Sequence, residues 1–431
     1  MNSNYVSFQP LERLEGIIIV PGDKSISHRA LFISSLASGI SRINNILIAE
    51  DVLSTIVCLR MLGVDIELTG NSVVVKSGGI DSFKEPVGVL NAGNSGTTTR
   101  IILGILSTRN FFSVITGDDS LSSRPMRRIT APLMIMGASI DGRDNGNYLP
   151  VSVRGGGLKG INYNMPVASA QVKTGLILAS TGAKGVMSIK EPISTRDHTE
   201  RMLKASGVNL KTEDNTIELS CSQKPLPLNT VIPGDFSSAA FFIGAALIAK
   251  ESDVLIKGVG INHGRTGLLD IVKSMGAKIE LLNERYETGE SVADIHIKTA
   301  KLKGIVIDDK SLIVRSIDEI PVLAVIAACA DGETVIRHAE ELRVKESDRI
   351  KAVVEGLTAL GIKAKELDDG MVIQGGAIKG GTVDSHNDHR IAMAFAISSV
   401  ASTKEVFIND FNAVGISFPE FMDIFNTLRH L

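Results

Sequence analysis

The stretch GDKSISHR (22–29) sets two cations, Lys24 and Arg29, and two serines in the first turns of an apolar run that reads as a helix. The pattern recurs: Arg100 follows GNSGTTT, Arg124, Arg127 and Arg128 follow SLSS, Lys173 follows SAQ, and Arg390 follows HND. The first turn of a helix has free backbone N–H groups and the positive end of the dipole, so it is a ready anion site. A small polar residue there is more often a cap than a ligand. A cation there is different, because the dipole disfavours it by about 0.3–1 kcal/mol when exposed. An anionic ligand reverses that sign. Repeated basic helix starts therefore favour a ligand with several phosphates or carboxylates, gathered from many helix N-termini.

Acid–base candidates lie in the second half of the chain. RVKESDR (343–349) alternates Lys345, Glu346, Asp348 and Arg349. This is either a solvated charged face or a placed acid, Glu346, beside an anion site. RSIDEIPVLAVIAACA (315–330) sets Asp318 and Glu319 before an apolar helix, where capping competes with catalysis. HNDHR (386–390) has two histidines three apart, but no neighbouring Cys or His cluster completes a metal site. RDHTE (196–200) lacks the order of a zinc protease. GDKS is not a nucleotide P-loop, because Asp23 stands where that motif needs glycine.

The elements that must position these residues also follow a pattern. Five segments end a helical stretch at a glycine and continue as two strands: 60–78, 135–156, 204–220, 274–299 and 359–376. Glycine suits a helix C-terminus because it enters the left-handed region without a Cβ clash. A helix at 419–431 closes the chain where a sixth unit should end. The helices opening at GDKS, GNSG, RPMRR, ASAQ, GDFSS, SIDE and NDHR alternate with these strands, which predicts an α/β protein of six units in two domains of three. The proline-rich stretch SQKPLPLNTVIPGD (222–235) is the expected boundary.

The bulk numbers exclude several classes. At roughly 100–200 residues per domain, 431 residues give two or three domains. A net charge of −3 gives no global field for nucleic acid or an acidic membrane. Aromatics are 4% and tryptophan is absent, so stacking platforms for nucleic acid are few. Cys58, Cys221 and Cys329 form no CxxC pair and suggest neither a disulfide framework nor zinc. No uncharged stretch reaches the roughly 20 residues of a membrane helix. The opening MNSNYVSFQPLERLEG lacks a signal-peptide pattern. A soluble cytoplasmic protein is expected.

Taken in order, PGDKSISHRA, LNAGNSGTTTR, SSRPM, SAQVKTGLILAS, PGDFSSAAFF, RVKESDRI and NDHRIAMAFA resemble the 5-enolpyruvylshikimate-3-phosphate (EPSP) synthase family, over about residues 13–428. The resemblance implies an α/β, two-domain enolpyruvyl transferase fold in which each domain repeats a βαβαββ unit three times. It implies a discontinuous C-terminal domain of 1–20 plus 232–431, an N-terminal domain of 21–231, and an active site in the cleft between them. The implied reaction moves the enolpyruvyl group of phosphoenolpyruvate to the 5-hydroxyl of shikimate 3-phosphate, on the route to chorismate and the aromatic amino acids. No metal or organic cofactor is implied. The partners are the two small-molecule substrates, with no nucleic acid or membrane, and a monomer is expected. Met1 and the six units suggest a free-standing enzyme.

Carried over residue by residue, the resemblance implies that Lys24, Ser25 and Arg29 bind shikimate 3-phosphate, with Lys24 also reaching phosphoenolpyruvate. Ser169, Ala170 (through its backbone), Gln171 and Arg196 would hold the sugar phosphate. Lys345 would hold the ring substituents, and Asp318 would face the 5-hydroxyl. Arg124, Arg349 and Arg390 would read the phosphate and carboxylate of phosphoenolpyruvate, with Asn94, Gly96, Gln171 and Glu346 in the same pocket. Asp318 is the candidate base, and Glu346 and Lys24 are the candidates on the acid side.

RDHTE, GDKSI, SAQVK and NSGTTTR further resemble the subgroup tolerant of glyphosate, which competes with phosphoenolpyruvate. Some tolerant members have alanine where this chain has Gly96. The VGISFPEF region lacks a lysine that many members carry, so one phosphoenolpyruvate contact is missing or supplied elsewhere. Two rivals remain. UDP-N-acetylglucosamine enolpyruvyl transferase shares the fold but typically uses a loop cysteine, and SLSSRPMRR has none. A non-catalytic anion-binding protein on the same scaffold would not need the candidate carboxylates.

Overall fold

A computed structural model of the chain describes residues 5–429. The first four residues of the expected 1–20 segment, and the last two of the expected 419–431 helix, lie outside them. The chain divides into two compact units. One takes Gly22–Ile232 with the short return Glu287–Glu290. The other takes the described residues up to Pro21, then Pro233–Tyr286 and those from Ser291 onward.

Among the described residues, six small sheets carry the fold, three in each unit. The second repeat shows the βαβαββ plan in chain order. Strand Leu90–Asn91 leads to helix Gly96–Leu106, strand Phe112–Thr116, helix Arg127–Met136, and the strands Ser139–Gly142 and Tyr148–Arg154. The first two strands pair in parallel across the first helix; the last two pair antiparallel. Among the described residues, three repeats borrow a strand from a distant segment. Arg13–Ile19 pairs in parallel with Glu251–Gly260. Asn229–Val231 pairs in parallel with Ser38–Asn44 to complete the first repeat. Tyr5–Phe8 pairs antiparallel with Val406–Asn409 in the three-stranded last sheet.

The glycine rule holds at all five expected helix ends. Gly63, Gly137, Gly207, Gly276 and Gly361 have φ of 89°, 113°, 82°, 107° and 85°, and a strand pair follows each. The closing helix is short, Phe421–Thr427, and packs Phe421 and Phe425 into its unit's core.

The first helix of each repeat is buried nearly all round, and this places its N-terminus. In the Gly22–Ile232 unit these helices are Lys24–Leu36, Gly96–Leu106 and Ala170–Ala179. The last two meet backbone to backbone: a Cβ on Gly104 would lie 2.1 Å from the Gly175 carbonyl oxygen, and one on Gly175 would lie 2.7 Å from that of Arg100. In the other unit they are Phe236–Ile248, Ile320–Ala328 and His389–Ser398. There Gly244 leaves room for Val322 and Ile397. Each unit closes over its own hydrophobic core.

Candidate active site

In the Gly22–Ile232 unit the basic helix starts gather around the three buried helices. Gly22 is obligatory, since a Cβ there would sit 1.8 Å from the Asn45 carbonyl oxygen. Asp23 caps the first helix by accepting from the Ile26 N–H at 2.9 Å. This sets Lys24 and Ser25 in the first turn. Lys24 Nζ donates to Asp51 Oδ2 at 3.0 Å. Arg29, only 2% exposed, ties three helices together. It donates to the Ser25 and Ala170 carbonyls at 2.9 and 3.3 Å, and to the Thr199 and Thr174 hydroxyls at 2.8 and 2.9 Å. The expected ligand Arg29 is thus also a structural clamp on Ser25 and Ala170.

The second and third helix starts are coupled. Ser95 and Ser169 cap them. Arg100 Nη1 donates to Gln171 Oε1 at 2.7 Å, and Gln171 Nε2 donates to Thr97 Oγ1 at 2.9 Å. Gly96 faces the same arginine: a Cβ there would lie 2.7 Å from Arg100 Nη1. Asn94 accepts from Arg124 Nη2 at 2.7 Å and donates to Asp118 Oδ2 at 2.7 Å. Arg124 also donates to Ser120 Oγ at 3.0 Å. Arg196, half-buried, lies in the irregular stretch before helix His198–Ala205.

One basic helix start departs from expectation. Lys173 does not present its charge to a ligand. It is buried and pairs with Glu191 and Glu200 at 2.9 and 2.7 Å. Burial works against the ammonium, but the two carboxylates outweigh it and hold the Lys173 pKa above its ordinary value. His198 of RDHTE is likewise internal, its Nδ1 2.8 Å from Glu290 Oε1.

In the other unit the carboxylates and cations converge on Asp318. Lys345 Nζ, Arg349 Nη1 and Arg390 Nη2 lie 3.9, 3.8 and 3.8 Å from its oxygens. Arg390 Nη1 donates to the Asp318 carbonyl at 2.9 Å, which fixes the backbone of Asp318. Glu346 accepts from Arg349 Nη2 at 2.6 Å. Desolvation lowers the Lys345 pKa despite the nearby Asp318 carboxylate.

Asp388 organises this cluster, and the sequence reading passed over it. It caps helix His389–Ser398, accepting from the Arg390 N–H at 2.9 Å, and its other oxygen takes Arg349 Nε at 2.7 Å. Burial pushes its carboxyl up, but Arg349 and hydrogen bonding hold it below the ordinary range. The available signal was an aspartate directly before an apolar helix, which is a cap signature. Among the described residues, no group of three or more His, Cys, Asp or Glu side chains is placed to hold a metal ion. No described helix is long and apolar enough to cross a membrane.

The arrangement offers anion-reading arginines and lysines on rigid helix starts, with carboxylates set among them for proton transfer. Residues 8–425 match the family model of EPSP synthase (3-phosphoshikimate 1-carboxyvinyltransferase). A 3-phosphoshikimate 1-carboxyvinyltransferase of Bacillus cytotoxicus is 48% identical, over 95% of this chain and 97% of its own. A solved structure of an EPSP synthase from Acinetobacter baumannii superposes with a TM-score of 0.89 at 44% identity, covering 99% of this chain and 98% of that one. The enolpyruvyl transferase NikO from Streptomyces tendae has a TM-score of 0.77 at 16% identity, over 99% of this chain and 98% of its own, and shares the fold.

Proposed function

The chain belongs to the EPSP synthase (3-phosphoshikimate 1-carboxyvinyltransferase) family, and from that premise we propose how its residues divide the work. The enzyme is a transferase of the shikimate pathway. It moves the enolpyruvyl group of phosphoenolpyruvate to the 5-hydroxyl of shikimate 3-phosphate and releases phosphate. The convergence of Lys345, Arg349 and Arg390 on Asp318, with Glu346 alongside, carries the assignment of roles.

Phosphoenolpyruvate C2 becomes electrophilic only when C3 takes a proton. Asp318 accepts the proton of the 5-hydroxyl as its oxygen attacks C2, and Glu346 or Lys24 protonates C3. The tetrahedral intermediate then loses phosphate, and the C3 proton returns to its donor. Arg124, Arg349 and Arg390 read the phosphate and carboxylate of phosphoenolpyruvate, with Asn94, Gly96 and Gln171 as further ligands. Lys24, Ser25, Arg29, Ser169, the Ala170 backbone, Gln171, Arg196 and Lys345 hold shikimate 3-phosphate. The helix starts supply the fixed N–H groups and the dipole for the sugar phosphate. Both sets serve one reaction.

Asp318→Ala is expected to cut kcat by about a thousandfold while shikimate 3-phosphate still binds. Near-normal turnover would remove Asp318 from the mechanism. The same reading takes the enzyme to be a cytoplasmic monomer that tolerates glyphosate, in keeping with its GDKSI, SAQVK and RDHTE motifs.

A further inference from the structure

The buried charge cluster around Lys173 is not used by the chemistry, yet it holds the residue next to one proposed ligand. Residues 192–197 run without regular structure from the strand Val186–Lys190 to the helix His198–Ala205. Arg196 is in this stretch. Its neighbour Thr195 is held twice. The Thr195 hydroxyl donates to Glu191 Oε1 at 2.5 Å, and Lys173 Nζ donates to the Thr195 carbonyl at 3.4 Å. Lys173 also pairs with Glu191 at 2.9 Å and with Glu200 at 2.7 Å. Lys173, Glu191 and Glu200 are 1%, 3% and 3% exposed. Lys173 belongs to the helix that opens with Ala170 and Gln171, and Glu200 to the helix that follows Arg196.

A buried ion cluster is weak evidence for stability, because desolvation cancels most of its attraction. It is better suited to fixing geometry, since its members tolerate few arrangements. We propose that Lys173, Glu191 and Glu200, acting through Thr195, are positioning residues that hold Arg196 in register with Ser169–Gln171, so that both grip the same anionic group of the sugar substrate. Lys173 of SAQVK and Glu200 of RDHTE form one device, linked through a single buried ammonium. This rests on the assignment of Arg196 to shikimate 3-phosphate.

The experiment compares steady-state kinetics of the full-length enzyme with Thr195→Val, Thr195→Ser, Arg196→Ala and the Thr195→Val/Arg196→Ala double variant. Thr195→Val keeps the side-chain volume and removes the hydroxyl. It is expected to raise KM for shikimate 3-phosphate about three- to tenfold with KM for phosphoenolpyruvate and kcat unchanged. Thr195→Ser restores the wild-type KM. In the Arg196→Ala background Thr195→Val adds nothing, because the two act through one contact. Additive effects, or a change confined to the melting temperature, would overturn the positioning role while leaving Arg196 a ligand. An Arg196→Ala enzyme with unchanged KM for shikimate 3-phosphate would overturn the ligand assignment, and this inference with it.

Discussion

Gly96 shows how one residue can tune a site through its neighbour. An added Cβ would lie 2.7 Å from Arg100 Nη1, the far end of a flexible side chain, so Arg100 must move. Arg100 is the residue that holds Gln171 at 2.7 Å. Gly96→Ala is therefore expected to raise KM for phosphoenolpyruvate severalfold, raise the glyphosate concentration needed for half-inhibition, and leave the melting temperature nearly unchanged. Glyphosate inhibition curves of the two enzymes check this. Tight competitive inhibition of the wild type would end the tolerance reading, and an unchanged curve for the variant would end the coupling through Arg100. At this scale the carboxylates and cations singled out by type and local position in the second half of the chain lie together in the structure. Asp318, Lys345, Glu346, Arg349 and Arg390 do converge. The sequence misled at Lys173, because a cation at a helix start looks the same whether a ligand or a buried carboxylate faces it. Glu191 and Glu200 reach Lys173 only through the tertiary fold. Asp388 was hidden differently: its capping role is local, but its partner Arg349 lies on another helix.

Helices carry the site because their starts are held rigidly. The Gly104–Gly175 contact brings the backbones of Gly96–Leu106 and Ala170–Ala179 together, and no side chain can absorb an added methyl there. Gly104→Ala is expected to destabilise the enzyme by about 2 kcal/mol or more and to raise KM for both substrates together. Chemical denaturation and kinetics on one preparation check it. The helix carrying Lys24 has a second buried constraint, His28, whose Nδ1 lies 2.8 Å from Thr55 Oγ1. Burial lowers its pKa from 6.5 to about 3. Between those values the unfolded chain binds a proton that the folded one refuses, so stability falls as the pH drops through 6.5 toward 3. His28→Gln, which cannot titrate, is expected to show a shallower loss of melting temperature from pH 7 to pH 4 than the wild type. Equal slopes would show that His28 does not contribute. Helices and strand pairs were legible because glycine ends and apolar periods are local signals. The glycine-to-glycine packing was not, since it depends on which helices meet.

Across the whole molecule, six repeats explain most of the architecture, and the sequence pattern revealed them without any repeated residues. What it could not reveal was the exchange of strands. Asn229–Val231 completes the first repeat, and Tyr5–Phe8 completes the last sheet. Strand pairing between distant segments leaves no periodic trace in either one. The most direct measurement is phosphate release from phosphoenolpyruvate with shikimate 3-phosphate, set against UDP-N-acetylglucosamine as the acceptor. Release with shikimate 3-phosphate alone is the expected result. Release only with the UDP-sugar, or none with either acceptor from folded enzyme that still binds shikimate 3-phosphate, would contradict it.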